Sequence, residues 1–417
     1  MGFSGCKRKR REDDKDTSST ATGFAMDELN DDILEKVLSW LPTSTFFRLS
    51  FVCKRWKSMA ESRSFKLACS QIRSRDPWFF MVDSNLSLSF LFDSSDSNWR
   101  NLSHCPSLPN RNLMPVASSG GLLCLRHGVS GDFLVVNPVT GASREVPPLI
   151  SRDQEPLHAV AMTTKSTCHD HSYPNYKLIA ISGEMSRLSF RVYDSRSGSW
   201  GEEEIGFAKN VDDFDSGISS ESDSNDENGT VYFLSKAGNV MATNLQRNPS
   251  KQYSSVITLR DGEEIVYFFS PSGSIVSCNI TKRSFTELPR LLPPLMEYSI
   301  DMVECNGNMF VILLSEFFES SSLRVWRLDE KNKNWVQVAM MPPAMSHELF
   351  GKKGDINCVG TRGRMLVCFN SPEMFRYFTY DLVADEWSEL PRCFKKDNEA
   401  ADFVSALAFE PRIEVSV

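Results

Sequence analysis

No stretch approaches the roughly 18 consecutive apolar residues that would cross a membrane as a helix; Met309–Leu314 is among the longest runs and reads as a strand. Charge appears by Lys7 with no apolar block before it, so no secretory leader is expected. Gly2 follows the first Met, but Cys6 stands where a myristoylation signal has Ser or Thr. Histidine is scarce, with six in 417 residues, and His104, His127, His158 and His347 are isolated. Cys168-His169-Asp170-His171 is the one Cys/His cluster. Its ligands sit too close for a tetrahedral zinc site, and no C-x-x-C supplies another half. G-x-S-x-G, P-loop and Rossmann glycine patterns are absent. No constellation of an enzyme is left, and no cofactor or metal is expected.

Eleven cysteines are present, but they are scattered and odd in number. Most, such as Cys124, Cys278 and Cys368, lie in apolar strand-like runs, where a reduced thiol packs as a small hydrophobe. That pattern fits a reducing setting, the cytoplasm or the nucleus. A net charge of −8 argues against general nucleic-acid binding by the folded body. The length allows two or three domains, and 41% hydrophobic content supports a substantial core.

The most informative stretch is Leu29 to Phe65, LNDDILEKVLSWLPTSTFFRLSFVCKRWKSMAESRSF. Ile33, Leu34, Val37, Leu38 and Leu41 fall on one helical face, with Leu29 a turn earlier. Asp31, Asp32 and Glu35 suit a helix N-terminus. Pro42 ends the helix, and Thr43 or Ser44 is placed to cap a second. Val52, Cys53, Trp56, Met59 and Ala60 trace a third. Three short helices of under about 40 residues rarely bury enough surface to stand alone. Ile33, Leu34, Leu38, Phe46, Phe47, Val52 and Trp56 cannot all hide inside them, so some must face another protein or another domain.

The residues Leu29, ILEKVLSWLP at Ile33–Pro42, VCKRW at Val52–Trp56 and SRSF at Ser62–Phe65 closely resemble an F-box. That module docks receptors onto the Skp-type adaptor of Skp–cullin–F-box ubiquitin ligases. The resemblance implies that Leu29, Ile33, Leu34, Leu38, Leu41, Pro42, Phe46, Val52, Cys53 and Trp56 contact the adaptor or support the contact. Asn30 departs from the family's usual proline but is itself a good N-cap.

Residues 1–25 are polar and without periodicity, which reads as a disordered tail. They carry a candidate nuclear-import run, Lys7, Arg8, Lys9, Arg10 and Arg11. The F-box unit is expected over 26–70. From 77 to 412 the chain is a series of short β-branched and aromatic strands separated by turn residues. No long amphipathic helix interrupts them, which favours an all-β domain. Residues 209–229 are acidic and Ser-rich and read as a disordered loop within it.

The β region repeats. Asp93 and Trp99, Asp194 and Trp200, Asp329 and Trp335, and Asp381 and Trp387 are each six apart, with a weaker copy at Asn279 and Phe285. Proline follows several copies, as at Pro289 and Pro391. A period near 50 residues indicates a propeller of kelch-like spacing. The Asp is placed to fix a tight turn, and the Trp to lay its ring on the adjacent blade. The region resembles the propellers of plant F-box/kelch proteins, and SSGGLLCL at Ser118 and NPVTG at Asn137 resemble their F-box-associated repeats. Turns at Asp93, Asn137, Asp194, Asn244, Asn279, Asp329 and Asp381 suggest seven blades, with six as the alternative. Phe403–Phe409 is expected to close the ring beside Pro77–Val82, removing free sheet edges.

The resemblance implies a non-catalytic adaptor. Its F-box would bind a Skp-type protein and, through it, cullin and RING subunits, while the propeller recruits a protein substrate. Neither a catalytic-Cys domain nor a RING zinc framework is visible, so ligase activity would come from partners. Two other readings are a nuclear scaffold or transcriptional cofactor that uses the F-box without degradation, and a kelch-propeller enzyme such as an oxidase. Arg111, Arg187, Arg362 and Arg364 fall in loop-like positions suited to an acidic partner.

Overall fold

The computed structural model describes residues 29–83, 88–101, 113–149, 155–165, 175–208, 231–234, 240–243, 253–270, 273–291, 298–317, 320–329, 332, 334–352, 354–395 and 398–417. The basic run Lys7–Arg11, the cluster Cys168–His171, Arg111 and the acidic stretch 209–229 lie outside the described residues.

Six sheets form the blades of a propeller. From the inner strand outward, blade 1 is Phe403–Phe409, Trp78–Asp83, Ser89–Asp93 and Asn98–Asn101. Blade 2 is Leu113–Ser119, Leu122–His127, Phe133–Val136 and Ser143–Glu145. Blade 3 is Leu157–Lys165, Asn175–Glu184, Arg187–Asp194 and Ser199–Trp200. Blade 4 is Ser255–Arg260, Glu263–Phe269, Ile275–Asn279 and Ser284–Glu287. Blade 5 is Tyr298–Cys305, Asn308–Phe317, Ser320–Asp329 and Asn334–Met340. Blade 6 is Asp355–Thr361, Arg364–Ser371, Met374–Asp381 and Glu386–Glu389.

The expected count of seven is therefore corrected to six. Asn244, the turn counted as a seventh unit, lies outside the described residues, and the strands before it, Val231–Leu234 and Val240–Thr243, pair with each other and, among the described residues, with no blade. From Asp194 to Asn279 is 85 residues, one blade plus an insertion, where the repeat-based count assumed two units. The chain bridges the gap early, since Phe207–Ala208 already pairs in parallel with the outer strand of blade 4.

Every blade is covered on both faces by its neighbours, so the middle strands are continuously apolar rather than alternating. Trp78–Asp83 is buried along its whole length. One apolar cluster fills each of the six gaps between blades. Leu366, Cys368 and Tyr377 of blade 6 meet Phe79, Phe90 and Phe403 of blade 1, for example. Burial pushes the Cys305 thiol up to about 11 and those of Cys69 and Cys393 to about 12, as for thiols serving as packing atoms.

Side chains stitch the inner strands together. Ser405 donates to the Pro115 carbonyl at 3.3 Å and Ser118 to that of Ala408 at 2.8 Å, joining blades 1 and 2. Asn357 donates to Phe403 at 2.9 Å between blades 6 and 1. The buried Asp301 carboxylate accepts the Cys358 N–H at 2.6 Å between blades 5 and 6. Ser255 donates to Val160 at 2.7 Å between blades 4 and 3.

The repeat residues occupy two positions. Asp194 accepts the Arg196 N–H at 2.8 Å, and Asp381 accepts those of Val383 and Ala384 at 2.9 and 3.0 Å. These bonds, the Ala384 N–H first, hold the Asp381 carboxyl below the usual carboxylate range. Asp93 accepts the Ser95 N–H at 3.0 Å, whereas Asp329 accepts the Asn332 side-chain amide at 2.8 Å. Each of three tryptophans donates its indole N–H to a proline carbonyl at the end of the preceding blade. Trp99 reaches Pro391 at 2.8 Å, Trp200 reaches Pro147 at 2.8 Å and Trp335 reaches Pro289 at 2.7 Å. Trp387 packs at a tilt against Tyr380, but its buried N–H has no hydrogen-bond partner among the described residues, because blade 5 ends in a helical turn at Pro343–Ser346.

Inner-strand closure joins Trp78 to Phe409 and Val82 to Ser405. Ending the chain at Asp402 exposes two interblade cores, and we expect cooperative thermal unfolding of the propeller to be lost; an unchanged melt would contradict the closure. In urea titrations, Trp200→Phe and Trp335→Phe should each destabilise by about 1 kcal/mol through the lost hydrogen bond. Trp387→Phe, which loses no such bond, should be near neutral.

Candidate functional site

Four helices precede the propeller, one more than the periodicity indicated: α1 (Asp31–Ser39), α2 (Thr43–Ser50), α3 (Lys54–Met59) and α4 (Arg63–Ser70). The fourth starts where Ser62 accepts the Phe65 N–H at 3.1 Å. Glu35 of α1, largely buried, accepts from Ser62 at 2.7 Å and Ser64 at 2.8 Å, tying α1 to the start of α4. Asn30 is at the N-cap of α1, but its side chain makes no capping bond. The Arg55 guanidinium holds that end instead, donating to Asp31 from Nε at 2.9 Å and to the Leu29 carbonyl. Thr43 and Ser44 lie within the first turn of α2, where Pro42 occupies the cap position. Their hydroxyls turn to the propeller, Thr43 donating to the Pro411 carbonyl at 3.0 Å and Ser44 lying 3.4 Å from the Ser95 hydroxyl.

The apolar residues of α1 separate into two stripes. Leu34 and Leu38, with Leu41 a turn on, face inward among Phe46, Trp56, Met59, Phe65, Cys69 and Ile413. Ile33, Val37 and Trp40, spaced i, i+4 and i+7, face solvent at 54%, 48% and 70% exposure. Phe51 and Val52, at the turn before α3, are 81% and 68% exposed. The sequence residues thus fall into three groups. Leu34, Leu38, Phe46 and Trp56 are core; Leu29, Leu41 and Cys53 are half-buried; Ile33, Pro42 and Val52 are open to solvent. Trp40 and Phe51 were missed as surface candidates, although Trp40 continues the Ile33–Val37 spacing.

The unit sits at the end of the disc that carries the turns between first and second and between third and fourth strands. Arg48 pairs with Asp96 at 3.3 Å, and Arg75 donates to the Ser39 carbonyl that ends α1 at 3.1 Å and to the Leu41 carbonyl just beyond it at 3.2 Å. Arg362 donates to the Arg73 carbonyl at 3.2 Å and pairs with Glu410, Arg364 pairs with Asp381, and Arg187 is exposed on the opposite end. Among the described residues no group of three or more His, Cys, Asp or Glu is arranged to hold a metal. His158 lies against Phe268 and bonds the Gly183 carbonyl at 2.6 Å.

A four-helix unit with a solvent-facing apolar stripe, set on a six-bladed disc, defines an F-box protein of the propeller class. The F-box domain model matches residues 26–68, and the KIB1-4 beta-propeller model matches 91–362. The chain belongs to this family of F-box proteins bearing a KIB1-4 β-propeller. F-box only protein 13 of Arabidopsis thaliana is 59% identical over all of this chain and 91% of its own length. F-box only protein 6 of the same plant is 26% identical over 88% of this chain and 69% of its own. Protein UNUSUAL FLORAL ORGANS, also from Arabidopsis thaliana, is 23% identical over 87% and 77%.

The two stripes separate under mutation. Leu38→Ala should destabilise the helical unit by about 2–5 kcal/mol, while Ile33→Ala and Trp40→Ala should stay within about 0.5 kcal/mol. Hydrogen-exchange protection of α1 and α4 measures both.

Proposed function

We propose that this protein is the substrate-recognition subunit of a Skp–cullin–F-box ubiquitin ligase. The observation that carries this reading is the outer stripe of α1. Ile33, Val37 and Trp40 remain in water while Leu34, Leu38, Phe46 and Phe65 of the same unit are buried. Burying each would contribute about 1.5–3 kcal/mol before the cost of association. The adaptor therefore covers a second face rather than completing an unfinished core. Leu34, Leu38, Phe46 and Trp56 hold that face in shape, and Ile33, Trp40, Phe51 and Val52 meet the partner.

The opposite end of the disc carries the second-to-third strand turns and the connections between blades, clear of the helices. Loops held by rigid blades suit recognition, and this end would present the substrate. The protein then contributes no chemistry of its own, the transfer coming from cullin and RING partners. The run Lys7–Arg11 would bring the complex to the nucleus.

Ile33→Asp combined with Trp40→Asp should abolish co-purification with a Skp-type adaptor while the propeller keeps its melting temperature. Undiminished binding would overturn the docking assignment. Rising substrate levels on proteasome inhibition, lost in the same double variant, distinguish degradation from scaffolding.

A further inference from the structure

The chain beyond Phe409 does not leave the disc. Gly121, at φ +92°, lets it pass, since a Cβ there would lie 2.9 Å from the Glu410 carbonyl oxygen and 3.0 Å from Arg412 Cβ. Asn137 then fastens it, its amide donating to the carbonyls of Arg412 at 2.9 Å and Val415 at 2.7 Å. Val415 is buried in the core between blades 2 and 3. Between these anchors, Ile413 enters the helical unit instead, 8% exposed and in the same cluster as Leu34, Leu38, Phe46 and Phe65.

Polar contacts run the same way. Arg412 donates to the carbonyls of Ile72 at 3.1 Å and Arg73 at 3.0 Å, in the link between α4 and the first blade. Its charge is held by Glu410 at 2.8 Å and Glu414 at 3.0 Å. The Pro411 carbonyl accepts the Thr43 hydroxyl of α2. One short segment is therefore pinned to the disc by Asn137 and Val415 and supplies a core residue to helices too few to bury a complete core alone.

We infer that residues 410–417 are a clasp that sets the position of the F-box on the propeller, with Ile413 and Arg412 as positioning residues for adaptor docking. The inference rests on the docking reading for its function, but not for its geometry. Holding the helices fixes the angle between the adaptor face and the far end of the disc. Without it, only the seven-residue link at 71–77 and surface contacts such as Arg48–Asp96 and Arg362–Arg73 would hold the two together.

The test uses the full chain without adaptor, as wild type, Ile413→Asp and Ile413→Leu, read by hydrogen exchange. In Ile413→Asp, exchange in α1, α4 and the link at 71–77 should be at least tenfold faster, while the strands Trp78–Asp83 and Phe403–Phe409 keep their protection. Ile413→Leu should restore the helices. Unchanged protection of the helices in Ile413→Asp overturns the clasp, as does equal loss throughout the disc. Adaptor affinity, measured separately, should fall about tenfold in Ile413→Asp. A wild-type chain that binds no adaptor would refute the docking reading and leave the exchange result to decide the clasp.

Discussion

The fold depends on one pairing between distant parts of the chain. Phe403–Phe409 must lie antiparallel against Trp78–Asp83, or blade 1 has no inner strand and the cores on both of its faces stand open. Closing the ring this way pairs the Trp78–Asp83 edge, which would otherwise face the channel with free backbone groups. The associated loop-closure entropy is borne by burial that appears only once the ring is complete. The inner-strand hydrogen bonds of Ser405, Ser118 and Asn357 act at the same junction. The helices depend on it too, because the segment that enters their core continues directly from the closing strand.

The helical unit uses its apolar residues twice. A helix with one apolar stripe packs on one surface; α1 has two, and only one is covered among the described residues. Glu35, bound by Ser62 and Ser64, and Arg55, bound to Asp31 and Leu29, keep α1 in the orientation that leaves Ile33, Val37 and Trp40 outward. A partner therefore finds a surface already formed, which lowers the ordering cost of association.

The repeats work by similar economy. In blades 1, 3 and 5 the outer strand brings a Trp whose N–H reaches back to the proline closing the previous blade, so one residue supplies ring packing and an interblade bond. Blade 6 keeps the ring but lacks the bond, because a helical turn replaces the closing segment of blade 5. The glycine pair Gly120-Gly121 occurs in blade 2, at the turn over which the clasp passes.

Much of this was legible in the residues. Strand class, the Asp–Trp period, the closing strand and the first three helices follow from spacing and side-chain type, which are local properties, and the F-box was legible as a resemblance carried by those residues. The blade count was not, since Asn244 sits at a plausible interval and only pairing shows that the strands before it join no blade. The helix α4 was also overlooked, although Ser62 caps it and Phe65 and Cys69, one turn apart, form its buried face. The division of Ile33, Val37 and Trp40 from Leu34, Leu38 and Leu41 needed the tertiary structure as well. Adjacent helical positions differ by about 100°, so pattern marks both stripes as apolar, and only the neighbours of each decide which is core. Ile413 is the clearest case. Nothing nearby in the chain indicates its role, because its partners in the helices lie more than 300 residues earlier and meet it only after the ring has closed.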